Sequence, residues 1–310
     1  MVDLITLIRN NKCDVKYNNK FDAEWTDNEL LNNILELTCN DNKLTSLPEL
    51  QNCIELNCQR NRLTYLPKLT NCIKLDCSYN QLTNLPELPN CKLLSCQGNQ
   101  LTKLPELTNC TKLYCYVNQL IKLSELPHCK YLNCKKNQLT NLPELPNCTE
   151  LYCYENQLIK LPELPNCAIL YCNNNQLTNL SELPNCTKLC CYNNKLTNLP
   201  ELPNCKFLYC NNNQLTNLPE LPKCTNLYCE NNSLLFTTLE EYKKLWKFKR
   251  FYLRLKYFRL FYKGMLKSLS NKKYDLHLEL KYSPNLNFYK QDPYYLHFKE
   301  LQLTQSILKN

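Results

Sequence analysis

The residues with the most chemical capacity in this chain are its thiols. In the segment Asn109 to Leu120, NCTKLYCYVNQL, Cys110 and Cys115 stand five apart, and Asn118 follows. Stepping by 19 from Cys115 finds cysteine at every position from Cys39 to Cys229. A second ladder at the same step runs from Cys53 to Cys224, and only Cys13 and Cys190 fall outside the two. Thiols at this density can ligate zinc, pair as disulfides, act as redox nucleophiles or simply fill a core. Zinc is usually held by tetrahedral sets, often with C-x2-C spacing. Here the ladders run in lines, and His128 is the only histidine in the repeats. Side chains in register on parallel strands do not aim at each other as a disulfide requires. Redox chemistry needs an exposed, activated thiolate. Cys13 and Cys190, the latter on an outward strand position, are the two thiols placed for it, and neither has an evident partner base. What remains is free cysteine as a small apolar core residue. No metal or cofactor is expected. Two glycines in 310 residues exclude a glycine-rich phosphate loop, and no Ser/His/Asp group or paired-acid site stands out. The chain is therefore expected not to be an enzyme.

These thiols need an element that sets them 19 residues apart. Asparagine keeps the same step from Asn42 to Asn232, eleven times without a slip, with leucine five residues before and two after each. The unit is C-x-x-L-x-C-x-x-N-x-L-T-x-L-P-E-L-P-N. Within CTKLYCY the apolar residues alternate with polar or aromatic ones, a strand period of two, so Leu113 and Cys115 point inward while Lys112, Tyr114 and Tyr116 point outward. Asn118 falls at the turn, where a buried amide can bond backbone groups of its own and the adjacent coil. The return half, LPELPN, is barred from helix by prolines three apart, such as Pro86 and Pro89, and must run extended. A single coil cannot bury its own apolar edge, so coils stack with strands about 4.8 Å apart.

This unit resembles the leucine-rich repeat, with cysteine at two of its apolar positions, and LPELPN resembles the short Pro-rich repeats of leucine-rich effector proteins of bacterial pathogens. The resemblance covers residues 34–236. It implies an α/β-type repeat solenoid: eleven 19-residue coils, parallel β-strands on the concave face, extended convex segments, and helical caps at both ends. Some of those effectors carry a C-terminal ubiquitin-ligase domain with a catalytic cysteine, but no cysteine follows Cys229 here. Alanine occurs only at Ala23 and Ala168 while Asn, Lys, Tyr and Ile abound. With the repeat words, this bias resembles leucine-rich repeat proteins of large DNA viruses of amoebae, which would place the protein in host cytoplasm.

In such proteins the exposed strand face is the usual binding surface. Its first coils are polar here: Glu36, Glu55, Asn57, Gln59, Lys74 and Asp76. From the fifth coil it turns aromatic, with Tyr114, Tyr116, Tyr131, Tyr152, Tyr154, Tyr171, Tyr192, Phe207, Tyr209 and Tyr228. Tyrosine offers large contact area at low rotamer cost, which suits a protein-binding patch. Aromatics also suit strands and support one another across them, so the same run serves as ladder packing.

The ends differ from the middle. In residues 1–33, TDNELL offers Thr26 as N-cap and Glu29 as its capping-box partner, and Trp25 is placed to cover the end of the core. Residues 237–310 carry 16 Lys/Arg against 6 Asp/Glu, so the chain's formal charge of +9 lies wholly in this region. Leu239 to Leu269 has the spacing of one long helix, with Lys243, Lys247, Arg250 and Arg254 as a basic stripe and Gly264 as a candidate bend. Such a helix can cap the last coil, or bind nucleic acid or an anionic membrane surface. The N-terminal MVDLITLIRNNKCDVKY has too short an apolar run for a signal peptide, and 23 thiols suit a reducing compartment. The expectation is a cytoplasmic, monomeric scaffold, neither secreted nor membrane-spanning, that binds a protein through the strand face. The sequons at Asn109, Asn147 and Asn185 carry no weight without export.

Overall fold

A computed structural model describes residues 3–20, 22 and 24–282, with side chains described through 274. The tail after KY at 281–282 lies outside the described residues. The chain divides into two units, Met1–Lys243 and Lys244–Asn310.

The first unit is one twelve-stranded sheet in strict sequence order. Strand β1 (Asp14–Tyr17) pairs antiparallel with β2 (Ile34–Thr38). From β2 onward every neighbour is parallel and in register at a step of 19, through β3 (Glu55–Asn57), β6 (Lys112–Tyr114) and β8 (Glu150–Tyr152) to β12 (Asn226–Tyr228). This is the solenoid that the period predicts, one strand per coil. The strands are only three residues long after β2, because the chain turns at a left-handed residue three positions on, as at Val117 after Tyr114.

Stacking seals the interior. Leu113, Cys110, Cys115 and Leu120 are wholly buried, and so are their counterparts in most coils. All 21 ladder cysteines are free and buried. The two ladders differ in what the sulfur does. Thiols of the Cys53–Cys224 ladder donate to the carbonyl two residues on, as Cys110 Sγ does to Lys112 O at 3.3 Å. Most of the Cys39–Cys229 ladder sits deeper; burial, with neighbouring thiols such as Cys134 adding to it, raises the Cys115 thiol well above its ordinary value, while the Cys110 thiol is pushed up to about 11. Asparagine closes each turn as its position predicts. Asn118 donates to Cys96 O at 3.0 Å and Cys115 O at 3.1 Å, and its Oδ1 accepts from Leu101 N at 3.0 Å. One side chain thus satisfies backbone groups of two coils. The residue before each of these asparagines is left-handed, from φ +52° at Arg60 to +66° at Gly98, a requirement the period does not reveal.

The N-terminal end is closed by α1 (Leu4–Arg9), β1 and α2 (Asp27–Asn32). Thr26 and Glu29 form the expected reciprocal capping box. Strand β1 is an addition to that expectation: it gives the first coil an antiparallel neighbour, since no preceding coil exists to pair with. Trp25 is half-buried with its ring edge-on to Tyr17, centroids 5.6 Å apart.

The last coil is closed by one residue at the start of α3 (Leu239–Tyr282). Tyr242 is buried; its hydroxyl donates to Pro219 O at 2.8 Å and accepts from Leu221 N at 2.8 Å, and its ring packs on Phe236. Thr238 and Glu241 cap this first turn: Glu241 N donates to Thr238 Oγ1 and Glu241 Oε2 accepts from Thr237 N. The helix is one continuous element through Gly264, with open space where a Cβ would stand there. No helix among the described residues is long and apolar enough to cross a membrane.

Candidate protein-binding face

The alternation of each strand delivers three outward columns, at six, four and two residues before the turn asparagine. In the first coils they carry ions and amides. Lys74 Nζ reaches Glu55 at 2.6 Å and Lys16 Nζ reaches Glu36 at 2.5 Å across neighbouring strands. Asp76 folds back to accept from Ser78 N and Oγ.

From β6 the face changes character. Tyr114 and Tyr131 stand 4.7 Å apart between ring centroids, Tyr131 and Tyr152 5.5 Å, Tyr152 and Tyr171 5.1 Å. Tyr131 comes from a neighbouring column and fills the gap that Asn133 leaves in the central one. After Tyr171 the central column is interrupted by Cys190, then resumes with Tyr209 and Tyr228, stacked at 4.9 Å and 7°. Tyr116, Tyr154 and Tyr192 are half-buried in the third column, and Phe207 in the first is exposed. The first four rings therefore form an unbroken run. Most are half-buried because each covers the next; Tyr152 and Tyr171 stack at 21°, the earlier pairs are tilted, and the Tyr152 hydroxyl donates to Glu150 Oε2 at 3.1 Å. Burial raises the Tyr131 phenol, and raises Tyr152 further with help from its bond to Glu150. Tyr116 is pushed up to about 12 by burial and by its neighbour Tyr79.

Cations lie between the rings. Lys135 Nζ is 4.7 Å from the ring centre of Tyr116 and 5.2 Å from that of Tyr154, one coil to either side. Lys188 Nζ is 5.0 Å from Tyr171 and 6.0 Å from Phe207, within the range of cation–π attraction. The sequence reading passed over these lysines; aligning the coils shows Lys135 midway between two tyrosines of one column, which was the available signal. Asn133 was missed as well. It is buried on this face, and its Oδ1 has no hydrogen-bond partner among the described residues.

Cys190 corrects an expectation. It occupies the outward position paired with Tyr171 and Tyr209, yet it is 5% exposed. Larger neighbours on both adjacent strands overhang a short side chain, and burial pushes its thiol up to about 11. It is a poor nucleophile. Cys13, half-buried, is also raised by burial and by Asp14. No cluster of metal-ligating residues occurs among the described residues. The sequon asparagines are engaged in structure: Asn109, Asn147 and Asn185 donate to Pro89 O, Pro127 O and Pro165 O.

Of the basic stripe, Lys243 ends the first unit, while Lys247, Arg250 and Arg254 lie on α3 in the second.

The repeat geometry, the parallel sheet and the turn asparagines together define a leucine-rich repeat fold. Solved structures agree. The leucine-rich effector protein YopM from Yersinia pestis is 39% identical over 64% of this chain, with a TM-score of 0.59, and the match takes in 60% of that protein. YopM from Yersinia enterocolitica is 35% identical over 65% of this chain, with a TM-score of 0.62, and the match takes in 47% of it. The chain thus spans about half to three fifths of these proteins. No protein-family model matches the chain, and no curated protein does.

Proposed function

We propose that this protein is a non-enzymatic scaffold that binds a partner protein through the strand face of coils five to eleven. The observation that carries this is the unbroken run of ring contacts from Tyr114 through Tyr131 and Tyr152 to Tyr171, the first two pairs tilted and the last stacked. Contact with its neighbours restrains each ring before any partner arrives, which lowers the ordering cost of binding. The surface so presented is a row of ring edges and hydroxyls flanked by Lys112, Lys135 and Lys188, an amphipathic array of the kind enriched at interfaces. It suits a partner that accepts hydrogen bonds over an apolar patch. Likeness to effector proteins supports a protein as that partner, and the viral resemblance of the composition supports a host protein.

The test is affinity capture with the full chain and two variants: Tyr152→Ala/Tyr171→Ala/Tyr209→Ala, and Glu36→Gln/Glu55→Gln on the polar coils. The expected result is a partner lost with the tyrosines and retained by the glutamine variant. Equal recovery on all three would show the rings to be ladder packing alone.

A further inference from the structure

Helix α3 carries a pattern that the strand face does not use. Its 32 residues from Lys243 to Tyr274 contain 12 Lys/Arg, 9 aromatic residues and no Asp or Glu. Phe248, Phe251, Tyr257, Phe258 and Phe261 are all more than half exposed. Their arrangement around the axis decides what they can meet. At about 100° per residue, Lys243, Lys247, Arg250 and Arg254 line one side, and the same line continues as Tyr257 and Phe261. On the opposite side the order is reversed: Phe248 and Tyr252 come first, then Lys256, Arg259 and Lys263. Each side is cationic along one half and aromatic along the other.

A helix lying on a membrane needs one continuous apolar face, to enter the acyl boundary, and one polar face. Between these two sides a strip holding Phe248, Phe251, Leu255, Phe258, Leu266 and Leu269 is free of cations from Lys244 to Lys273, which stand at its ends. It spans only about 80° of the helix, with Lys/Arg bordering both its edges, narrower than the apolar stripe of about 100° or more by which an amphipathic helix beds down. A single-stranded nucleic acid makes the opposite demand: cations for phosphates and, a few ångströms away, ring faces for the bases. Residues three or four apart on a helix are neighbours, and α3 pairs the two types at that spacing repeatedly. Lys249 Nζ lies 4.3 Å from the Trp246 ring centre, and Phe258 and Tyr262 lie near-parallel at 12°. A surface hollow is lined by Tyr252, Leu255, Lys256, Arg259, Tyr262 and Lys263. It places two aromatic rings beside three cations, room for a base against a ring with its phosphate on the cations.

We propose that α3 binds single-stranded nucleic acid, independently of the strand face, with Tyr252 and Tyr262 stacking on bases and Lys256, Arg259 and Lys263 taking phosphates. The test uses the full chain, titrated against fluorescent 20-nucleotide oligo-dT and oligo-U, a 20-base-pair duplex, and vesicles of 30% phosphatidylserine in phosphatidylcholine. Both single strands should bind, and the duplex at least tenfold more weakly. Tyr252→Ala/Tyr262→Ala should weaken single-strand binding by about tenfold or more, since each base stack is worth about 1–3 kcal/mol, and leave the salt dependence unchanged. Lys256→Gln/Arg259→Gln/Lys263→Gln should flatten the log–log salt slope by about 2. Preference for one sugar identifies DNA or RNA as the source within the proposal. Three results overturn it: binding to vesicles without binding to single strands, equal affinity for the duplex, or single-strand affinity untouched by the tyrosine pair. Unchanged circular dichroism in both variants would show that the helix, not the fold, was altered.

Discussion

The interior of the solenoid and its strand face are made by the same eleven coils, and they obey different rules. Inside, Asn118, Asn137 and Asn156 make the same three bonds to the same kinds of backbone group. Each interior position is the floor of the next coil, so a change in one coil leaves an orphaned carbonyl or a void in its neighbour. Outside, a side chain needs only to sit beside whatever the adjacent strand offers. Glu55 finds Lys74, Tyr114 finds Tyr131, and Cys190 is overhung. The interior is thus held uniform by contact at a step of 19, while the face is free to differ from coil to coil, and that freedom is what a binding surface needs.

The largest expected effect tests the interior as a whole. Buried thiols such as Cys115 and Cys134 are raised by loss of solvation, so they stay protonated in the folded chain while the unfolded chain releases its protons above about pH 8.5. Groups raised on folding contribute stability that is complete below the unfolded value and is lost as pH rises toward the folded one. With 21 such thiols, the loss between pH 8 and pH 9 is on the order of 10 kcal/mol, comparable with the whole stability of an ordinary domain. Circular dichroism under a reductant should show cooperative unfolding by about pH 9.5. A flat signal to well above that pH would mean the sulfurs are not sealed between coils.

A second experiment sets two asparagine ladders against each other. Asn137 bonds Cys115 O at 3.0 Å, Cys134 O at 3.1 Å and Leu120 N at 3.0 Å. Asn193, outside, donates to Asn174 Oδ1 and accepts from Asn212 Nδ2, both at 2.6 Å and exposed. Asn137→Ala strands three backbone groups and should cost about 3 kcal/mol or more, whereas Asn193→Ala, with water to replace its partners, loses mainly asparagine's tolerance of the left-handed conformation it holds at φ +52° and should cost about 1 kcal/mol. Equal urea midpoints for the two variants would erase the distinction between interior and face.

This contrast also explains what could be learned from the residues alone. The period exposed the coils, the turn asparagines and the buried ladders, because each is a contact between equivalent positions and so repeats; the capping box at Thr26 was legible from its own local spacing. The period did not expose β1, which exists only where the repetition stops and the first coil needs an edge partner. Nor did it expose Tyr242 as the plug of the last coil. That segment reads as one long helix able to cap the last coil, and nothing in its spacing marks Tyr242 as the residue that seals it. On the face, the tyrosines were visible as a list, but their stacking distances and the lysines between them depend on which column meets which, and period alone does not fix that.

The smallest effects concern the left-handed residue ahead of each turn asparagine, an outer column, Asn193 among it, that borders the interior. Gly98, at φ +66°, is the one glycine in this column, and a Cβ there would stand 2.6 Å from Cδ1 of Tyr79. Gly98→Ala must push that ring aside and pay for a side chain in the left-handed region, a loss of about 1–2 kcal/mol. Val117 occupies the equivalent position in the next coil at φ +54° and is exposed; a β-branched residue is the least suited to it. Asparagine tolerates the conformation, and Asn174, Asn193, Asn212 and Asn231 already hold it. Val117→Asn should therefore raise stability by about 0.5–1 kcal/mol. Opposite shifts of the urea midpoint at unchanged slope would show that this column is set by backbone conformation. Shifts of the same sign would mean that the side chains there are held by contacts with the face, and the boundary between the two regions would have to be redrawn one residue outward.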